Sequence, residues 1–325
     1  MQANQISNAI AVIAIAAALA APLAAGPFWL ALLTQILIFG LLALSVDLLL
    51  GHAGLFSVCH ASFFAVSAYT VAILEVRYGQ PALIAAPAGI VAGTLLAVLY
   101  GAAVRTRGVY FILITIAMGY IIWGAVYRWA SFTGGDNGIT NVPALAIGDI
   151  SLQSPVAYYY FVLAVVIACA IGCGVFIRSP FGLSLRGIKG SESRMQSLGY
   201  RTTAHLYAAF VLSGAVASLA GVLYVYYNKF VNPVTASFNI SIEVALMAIV
   251  GGSGTILGPF IGAGVFLGMR NWVSSFIELH AAVTGLVFII TILWAPTGIM
   301  GIVDRIGRRR DSSQSKQPSS GSKPE

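Results

Sequence analysis

Long apolar runs separated by short polar breaks occupy almost the whole chain. They fall at about 6–25, 28–50, 58–76, 81–104, 108–129, 155–177, 204–228, 237–250, 257–275 and 281–300. Within a run, apolar and polar side chains do not alternate, so the strands of a membrane barrel are excluded. Most runs approach the roughly 20 residues that a helix needs to cross hydrocarbon. Backbone in that medium must satisfy its own hydrogen bonds, which helices do. The pattern predicts an all-α polytopic membrane protein with about 8–10 transmembrane helices. The eighth run, 237–250, is short for a span.

Composition agrees. The 325 residues are 59% hydrophobic and 8% charged, where a soluble domain carries roughly 25% charged residues. No soluble fold hides that much apolar surface. The net charge of +7 is read as loop charge placed by the positive-inside rule rather than as a nucleic-acid surface. With the amino terminus in the cytoplasm and every run crossing, thirteen Lys and Arg face inward. Four face outward: Arg77, Arg128, Lys229 and Arg270. The first run ends in a signal-like ALAAPLAAG, yet no basic residue precedes Arg77, so a retained first helix is expected. Trp29, Trp123, Trp129, Trp272, Trp294 and the triplet Tyr158, Tyr159, Tyr160 fall near run ends and predict interfacial belts. Cys59, Cys169 and Cys173 lie in apolar runs and read as buried small hydrophobes. A transmembrane domain of residues 1–303 and a disordered cytoplasmic tail of 304–325 follow from the same pattern.

Three features interrupt it. The first is the polar stretch 178–203, with Arg178, Arg186, Lys189, Arg194 and Arg201 against the single acid Glu192. A short helix over 191–198, capped by Gly199, is expected there. The others are two glycine-rich breaks. One comprises Gly51, His52, Ala53 and Gly54, with Ser57 and His60 following. The other comprises Gly251, Gly252, Ser253 and Gly254. Each is either a tight turn or a pair of helix ends offering N–H and C=O groups to a polar solute. Asp47, His52, His60, Glu243 and Glu278 are the ionisable residues of the apolar runs. The histidines read as hydrogen-bonded structural groups, and Asp47 as a residue that either bonds a neighbouring helix or is partly protonated. Gly258, Gly262, Gly264 and Gly268, and likewise Ser213, Gly214, Ala217 and Gly221, predict faces for close helix packing.

Enzyme chemistry is excluded motif by motif. The dipeptide Gly-Lys never occurs, so a phosphate loop is impossible, and no metal-spaced Cys/His set appears. The remaining classes are transporter, channel, or membrane subunit of a larger machine.

Five segments, taken in order, carry a resemblance: GHAGLFSVCHASFFAVSAYTVAIL (51–74), RGVYFILITIAMG (107–119), TGGDNGI (133–139), SPFGLSLRGIKGSESRMQSLGY (179–200) and GGSGTILGPFIGA (251–263). Together they resemble the permease subunits of branched-chain amino acid ABC importers, the LivM-like branch, from about residue 30 to 303. The resemblance implies a multi-pass subunit of the bacterial cytoplasmic (inner) membrane with both termini cytoplasmic. It forms the path for branched-chain amino acids or a similar small hydrophobic zwitterion. It implies no cofactor of its own, ATP being bound by partner subunits. The implied partners are a second related permease in a heterodimer, two cytoplasmic ATPase subunits, and a periplasmic or lipid-anchored substrate-binding protein docking on the outer loops 130–154. Membrane lipid surrounds the subunit, and nucleic acid is not involved.

The stretch 178–203 corresponds to the family's coupling loop, whose usual core reads E-x-A-A-x-x-x-G. Glu192 and Gly199 match it, while Arg194 and Met195 replace its small residues. With Arg186 these form the implied contact to the ATPase. Leu206 stands where a Lys is often seen, Cys59 where Gly is common, and Asp47 where Asn is common. Asp47, Gly51, His52, Gly54, Ser57, His60, Gly251, Gly252, Ser253 and Gly254 are the candidate path or gate residues. The alternatives are an ABC permease for urea, short-chain amides or aromatic acids, and a stand-alone secondary transporter or channel.

Overall fold

The computed structural model describes residues 26–147, 150–274 and 298–300, with residues 16, 18–22 and 285 in addition. The last apolar run for most of its length, Glu278, Trp294 and the tail 304–325 lie outside the described residues, as does most of the first run.

Eight apolar helices match the central runs. They are α1 (Pro27–Asp47), α2 (His60–Val76), α3 (Ala82–Tyr100), α4 (Val109–Arg128), α5 (Pro155–Arg178), α8 (Thr202–Asn228), α9 (Phe238–Gly252) and α10 (Gly258–Ser274). Between α5 and α8 lie two polar helices, α6 (Pro180–Gly190) and α7 (Glu192–Ser197). Five of the helical segments are long and apolar enough to cross a membrane. The chain is an all-α polytopic membrane protein.

Local chemistry sets the boundaries. Proline opens α1 and α5, where its missing N–H is an orphan anyway. α1 continues as a π-helical turn, Leu48–Ala53, and stops at Gly54 in the left-handed conformation. α3 tightens into a 3₁₀ turn, Gly101–Arg105.

α1 carries no polar stripe, and from Ile38 nearly every residue is buried. A helix that is apolar on all sides belongs in a core. It packs against α5, α8, α9 and α10. α2, α3 and α8 form a second packed group, centred on the edge-to-face pairs Phe63–Phe210 (5.7 Å) and Phe63–Tyr100 (6.1 Å). The other sides of α3, α4 and α5 expose Leu83, Leu95, Leu99, Leu113, Ile121, Ile171 and Val175. Such breadth of exposed hydrocarbon suits lipid as the solvent.

The short eighth run has a geometric explanation. α9 has 15 residues, about 22 Å at 1.5 Å per residue. Before it, a 3₁₀ turn (Pro233–Ala236) packs between α2 and α4. The Phe238 ring then stacks on Tyr120, midway along α4, at 6.0 Å. The chain has therefore already entered the bundle when α9 begins. At the end of the bundle opposite α6 and α7, two small antiparallel ribbons form. β1 (Ile139–Thr140) pairs with β4 (Phe230–Val231), and β2 (Ala146–Ile147) with β3 (Ile150–Ser151).

Three expectations need correction. The tyrosine triplet is no interfacial belt. Tyr158 and Tyr159 are buried, and a buried phenol needs an acceptor. Tyr158 donates to the Leu223 carbonyl (2.5 Å), Tyr159 to Ala18 (2.8 Å) and Tyr160 to Leu19 (3.1 Å), tying α5 to α8 and to the segment before α1. Trp123 also sits inside α4, stacked on Tyr127, whereas Trp29, Trp129 and Trp272 are exposed at helix ends. The glycine face of α10 is shorter than expected. Gly258 and Gly262 press on α9, but Gly264 and Gly268 face almost open space. Finally, the polar stretch 178–203 is folded rather than loop-like, with α6 preceding the expected short helix.

A β-carbon at Gly262 would collide with the Met247 backbone carbonyl, which cannot rotate away. Gly262→Val should cost about 1–3 kcal/mol by overpacking. Gly268→Ala should be neutral or slightly stabilising. Thermal unfolding midpoints in detergent check both, and equal midpoints for the two variants would contradict the α9–α10 contact.

Candidate functional site

The two glycine-rich breaks, about 200 residues apart in sequence, touch. Asp47 lies one turn before Gly51 and is 1% exposed. Both of its carboxylate oxygens accept the Gly254 N–H, at 2.8 and 2.9 Å. Gly51 lies flat on the same segment. A β-carbon there would sit 2.6 Å from Asp47 Oδ1 and 2.7 Å from Gly254 Cα, so no side chain fits. The carbonyl of Gly51, freed where α1 ends, accepts a hydrogen bond from Lys189 Nζ at 2.7 Å. The Lys189 stem runs beside Gly54, at 3.0 Å from a β-carbon built there. One acid and one cation thus serve the exposed backbone of both breaks, as buried polar groups require.

The remaining candidate path residues divide. Gly251 and Gly252 seat α10, and the Thr255 hydroxyl accepts the Gly258 N–H (3.1 Å) at its start. Ser253 follows α9 as its C-cap. His52 is buried, and among the described residues its Nε2 has no partner. His60 lies elsewhere, with Nε2 at 2.6 Å from Ser213 Oγ, while that hydroxyl donates to the Ser45 carbonyl at 2.5 Å. With the serine proton committed, the ring must donate through Nε2–H. This chain joins α2, α8 and α1, which is a structural role. Ser57 Oγ lies 3.3 Å from Cys59 Sγ, away from the paired breaks.

α6 and α7 form a compact knob. The Ser179 hydroxyl accepts the Gly182 N–H (3.3 Å) and Pro180 opens the helix. Phe181, Leu185 and Ile188 recur at helical spacing on its inner face. Glu192 opens α7 and ties it down. Arg107, from the α3–α4 connection, donates to it through Nε (2.6 Å) and Nη2 (2.5 Å). The Thr202 hydroxyl adds a bond at 2.9 Å. The bidentate arginine, more than any other neighbour, holds the Glu192 carboxyl below the usual carboxylate range.

α7 ends at Gly199, φ 84°. Gly199 N–H reaches the Gln196 carbonyl (2.9 Å) and Tyr200 N–H the Met195 carbonyl (3.1 Å), a Schellman cap that needs glycine. Arg186 and Arg194 are exposed. Met195, expected on the contact surface, instead turns inward, with its sulfur against Gly187. Its place outside is taken by Leu183, Leu198 and Tyr200, 58%, 73% and 44% exposed.

Sequence reasoning named Asp47, Gly51, Gly254, Glu192 and Gly199, but not Lys189 or Arg107 as their partners. The signal was present, since both are basic residues in polar connections, but nothing local paired them. Among the described residues no cluster of three His, Cys, Asp or Glu could hold a metal.

Asp47→Ala would leave the Gly254 N–H unpaired inside the bundle, a cost of about 1–3 kcal/mol. Asp47→Asn retains one acceptor and should lose less. Thermal unfolding in detergent ranks them, and an Ala variant as stable as wild type would contradict the bond.

The family described as branched-chain amino acid transport system, permease component, matches residues 28–293. The high-affinity branched-chain amino acid transport system permease protein LivM of Salmonella typhimurium is 25% identical over 82% of this chain and 68% of its own. LivH of Escherichia coli K12, a permease protein of the system of the same name, is 25% identical over 81% of this chain and 91% of its own. The probable LivH of Methanocaldococcus jannaschii is 26% identical over 81% and 88%. No solved structure matches. A match over most of the chain, joined to a polytopic helical bundle with a folded polar knob, places this protein in the branched-chain amino acid transport permease family.

Proposed function

We propose that the chain is the membrane subunit of an ATP-driven importer for branched-chain amino acids in the bacterial inner membrane. It pairs with a second, related permease, with ATPase subunits on the cytoplasmic side and a substrate-binding protein on the outer side. The substrate follows from the printed names of the LivM and LivH relatives. The orientation follows from charge. Arg105, Arg107, Arg178, Arg186, Lys189, Arg194 and Arg201 gather at the knob end, which the positive-inside rule assigns to the cytoplasm. The sequence has no Gly-Lys dipeptide and so no phosphate loop, which supports an energy source on another chain.

The observation that carries the mechanism is the bond from Lys189 Nζ to the Gly51 carbonyl. It joins the knob to the paired breaks. In this reading the ATPase holds the knob by Leu183, Leu198, Tyr200, Arg186 and Arg194. Arg107 makes the knob move with the α3–α4 connection. Displacing α6 pulls Lys189 from Gly51 and frees the Asp47–Gly254 junction, which opens the path on that side. Such a change is a rigid-body rearrangement with a defined hinge.

Lys189→Met keeps the aliphatic stem and removes the donor. Reconstituted with its partners, it should lower leucine uptake per ATP hydrolysed by about tenfold, the effect of losing roughly 1.4 kcal/mol of coupling. Unchanged stoichiometry would refute the link. Arg107→Met gives a pH signature. The folded Glu192 carboxyl lies below its ordinary 4.5, so the pair's stabilisation is complete above that pH and is lost as pH falls through the folded value. The difference in unfolding midpoint between wild type and Arg107→Met should be larger at pH 7 than at pH 4. A pH-independent difference would show that Glu192 is not held by Arg107.

A further inference from the structure

α2 begins inside the bundle rather than at a membrane face. After the left-handed Gly54, residues 55–59 run without helix, and α2 starts at His60. Its neighbours give the depth. The Val58 N–H donates to the Thr115 hydroxyl (3.2 Å), and the Ala61 N–H to the Ser241 hydroxyl (3.2 Å). Thr115 follows the start of α4, and Ser241 precedes the end of α9, by several residues each. At 1.5 Å per residue they sit about 9 and 16 Å from the knob end of their helices. A helix N-terminus at that depth presents N–H groups and the positive end of its dipole in apolar surroundings.

Two hydroxyls from other helices serve two of these amides, but the set is not closed. Among the described residues the His60 N–H finds no acceptor and the Val58 carbonyl no donor. Ser62, in the first turn of α2, is 0% exposed, and its Oγ has no partner there either. A buried hydroxyl left without a partner is costly. The Ser62 hydroxyl and the Val58 carbonyl converge on one spot beside α4. A β-carbon built on Gly119 would lie 4.0 Å from Ser62 Oγ and 3.7 Å from the Val58 oxygen, with nothing closer. Glycine at 119 leaves that spot unfilled. The paired breaks differ, since Asp47 and Lys189 already serve their exposed groups.

We propose that the start of α2 is a subsite for the charged head of the transported amino acid. The Ser62 hydroxyl and the His60 N–H donate to its carboxylate, and the Val58 carbonyl accepts from its ammonium. The inference deepens the importer reading above and rests on it. A zwitterion fits better than a plain anion, because a carbonyl beside a carboxylate repels it unless a cation lies between. With Ser62 wholly buried, the subsite is closed in this structure, and α4 is the wall that moves. That helix buries only Phe111, Thr115 and Val126. It continues from Arg107, which Glu192 of the knob holds. Displacing the knob therefore draws α4 from the start of α2 and uncovers Ser62.

The test uses the assembled transporter in proteoliposomes, with leucine delivered by saturating binding protein. Ser62→Ala removes a hydroxyl that has no protein partner, so its unfolding midpoint should equal or exceed the wild-type value. Its leucine uptake should fall about tenfold, the scale of one hydrogen bond to a charged group. Gly119→Ala fills the spot and should also slow uptake without lowering the midpoint. Gly124→Ala, on the same helix but facing open space, should transport as the wild type does. A second arm reads the carboxylate. Without binding protein, millimolar leucine should raise the wild-type midpoint by about 1–2 °C and that of Ser62→Ala by less. Leucinamide, whose carboxylate is replaced by an amide, should raise neither. Wild-type uptake by Ser62→Ala overturns the subsite alone. So does a loss of uptake with a lowered midpoint, which would mean that the hydroxyl holds a structural water. Equal shifts by leucine and leucinamide overturn the carboxylate assignment. A wild type that takes up no leucine with any binding protein overturns the importer reading and the subsite with it.

Discussion

A helix that stops inside an apolar bundle leaves carbonyls without donors, and the segment that meets it brings amides without acceptors. Hydrocarbon offers neither, and each unsatisfied group is expensive. This chain solves the problem twice at one point. Asp47 accepts the amide of Gly254, and Lys189 donates to the carbonyl of Gly51. The glycines follow from that solution, since any side chain at position 51 would push the two segments apart. The packing of α1 between α9 and α10 on one side and α8 on the other then depends on this junction holding.

The same arrangement suits the site to a mechanical role. Asp47 and Lys189 are spent on backbone groups, and His60 is committed to Ser213 and, through it, to Ser45. What the residues can do is hold or release a contact between helices. Three hydrogen bonds from two side chains are few enough to be broken by the modest coupling energies typical of allosteric change.

Much of this was legible in the sequence, and the limit is physical. Hydrophobic runs report local burial, so α1 to α5 and α8 to α10 could be placed to within a few residues. Glycine clusters report special backbone, so both breaks and the Gly199 cap were visible. Long polar side chains report neither. Lys189 acts 138 residues from its partner and Arg107 85 residues from Glu192, and no periodicity encodes such pairings. The tyrosine triplet misled for a related reason. Tyrosine suits both a water interface and a buried hydrogen bond, and only the packing of α5 against α8 decides between them. α6 was overlooked although Phe181, Leu185 and Ile188 mark its inner face, because its basic residues dominated the reading of that stretch.

Glu192 is held from three directions, by Arg107, Thr202 and Gln196, and the Schellman cap fixes the chain just beyond it. The knob therefore has little freedom left to lose. Any chain that settles against Leu183, Leu198 and Tyr200 meets a shape already formed, so the ordering entropy that usually weakens small interfaces has been spent during folding. A small surface of this kind can bind and release repeatedly without refolding, which suits the contact proposed for the ATPase.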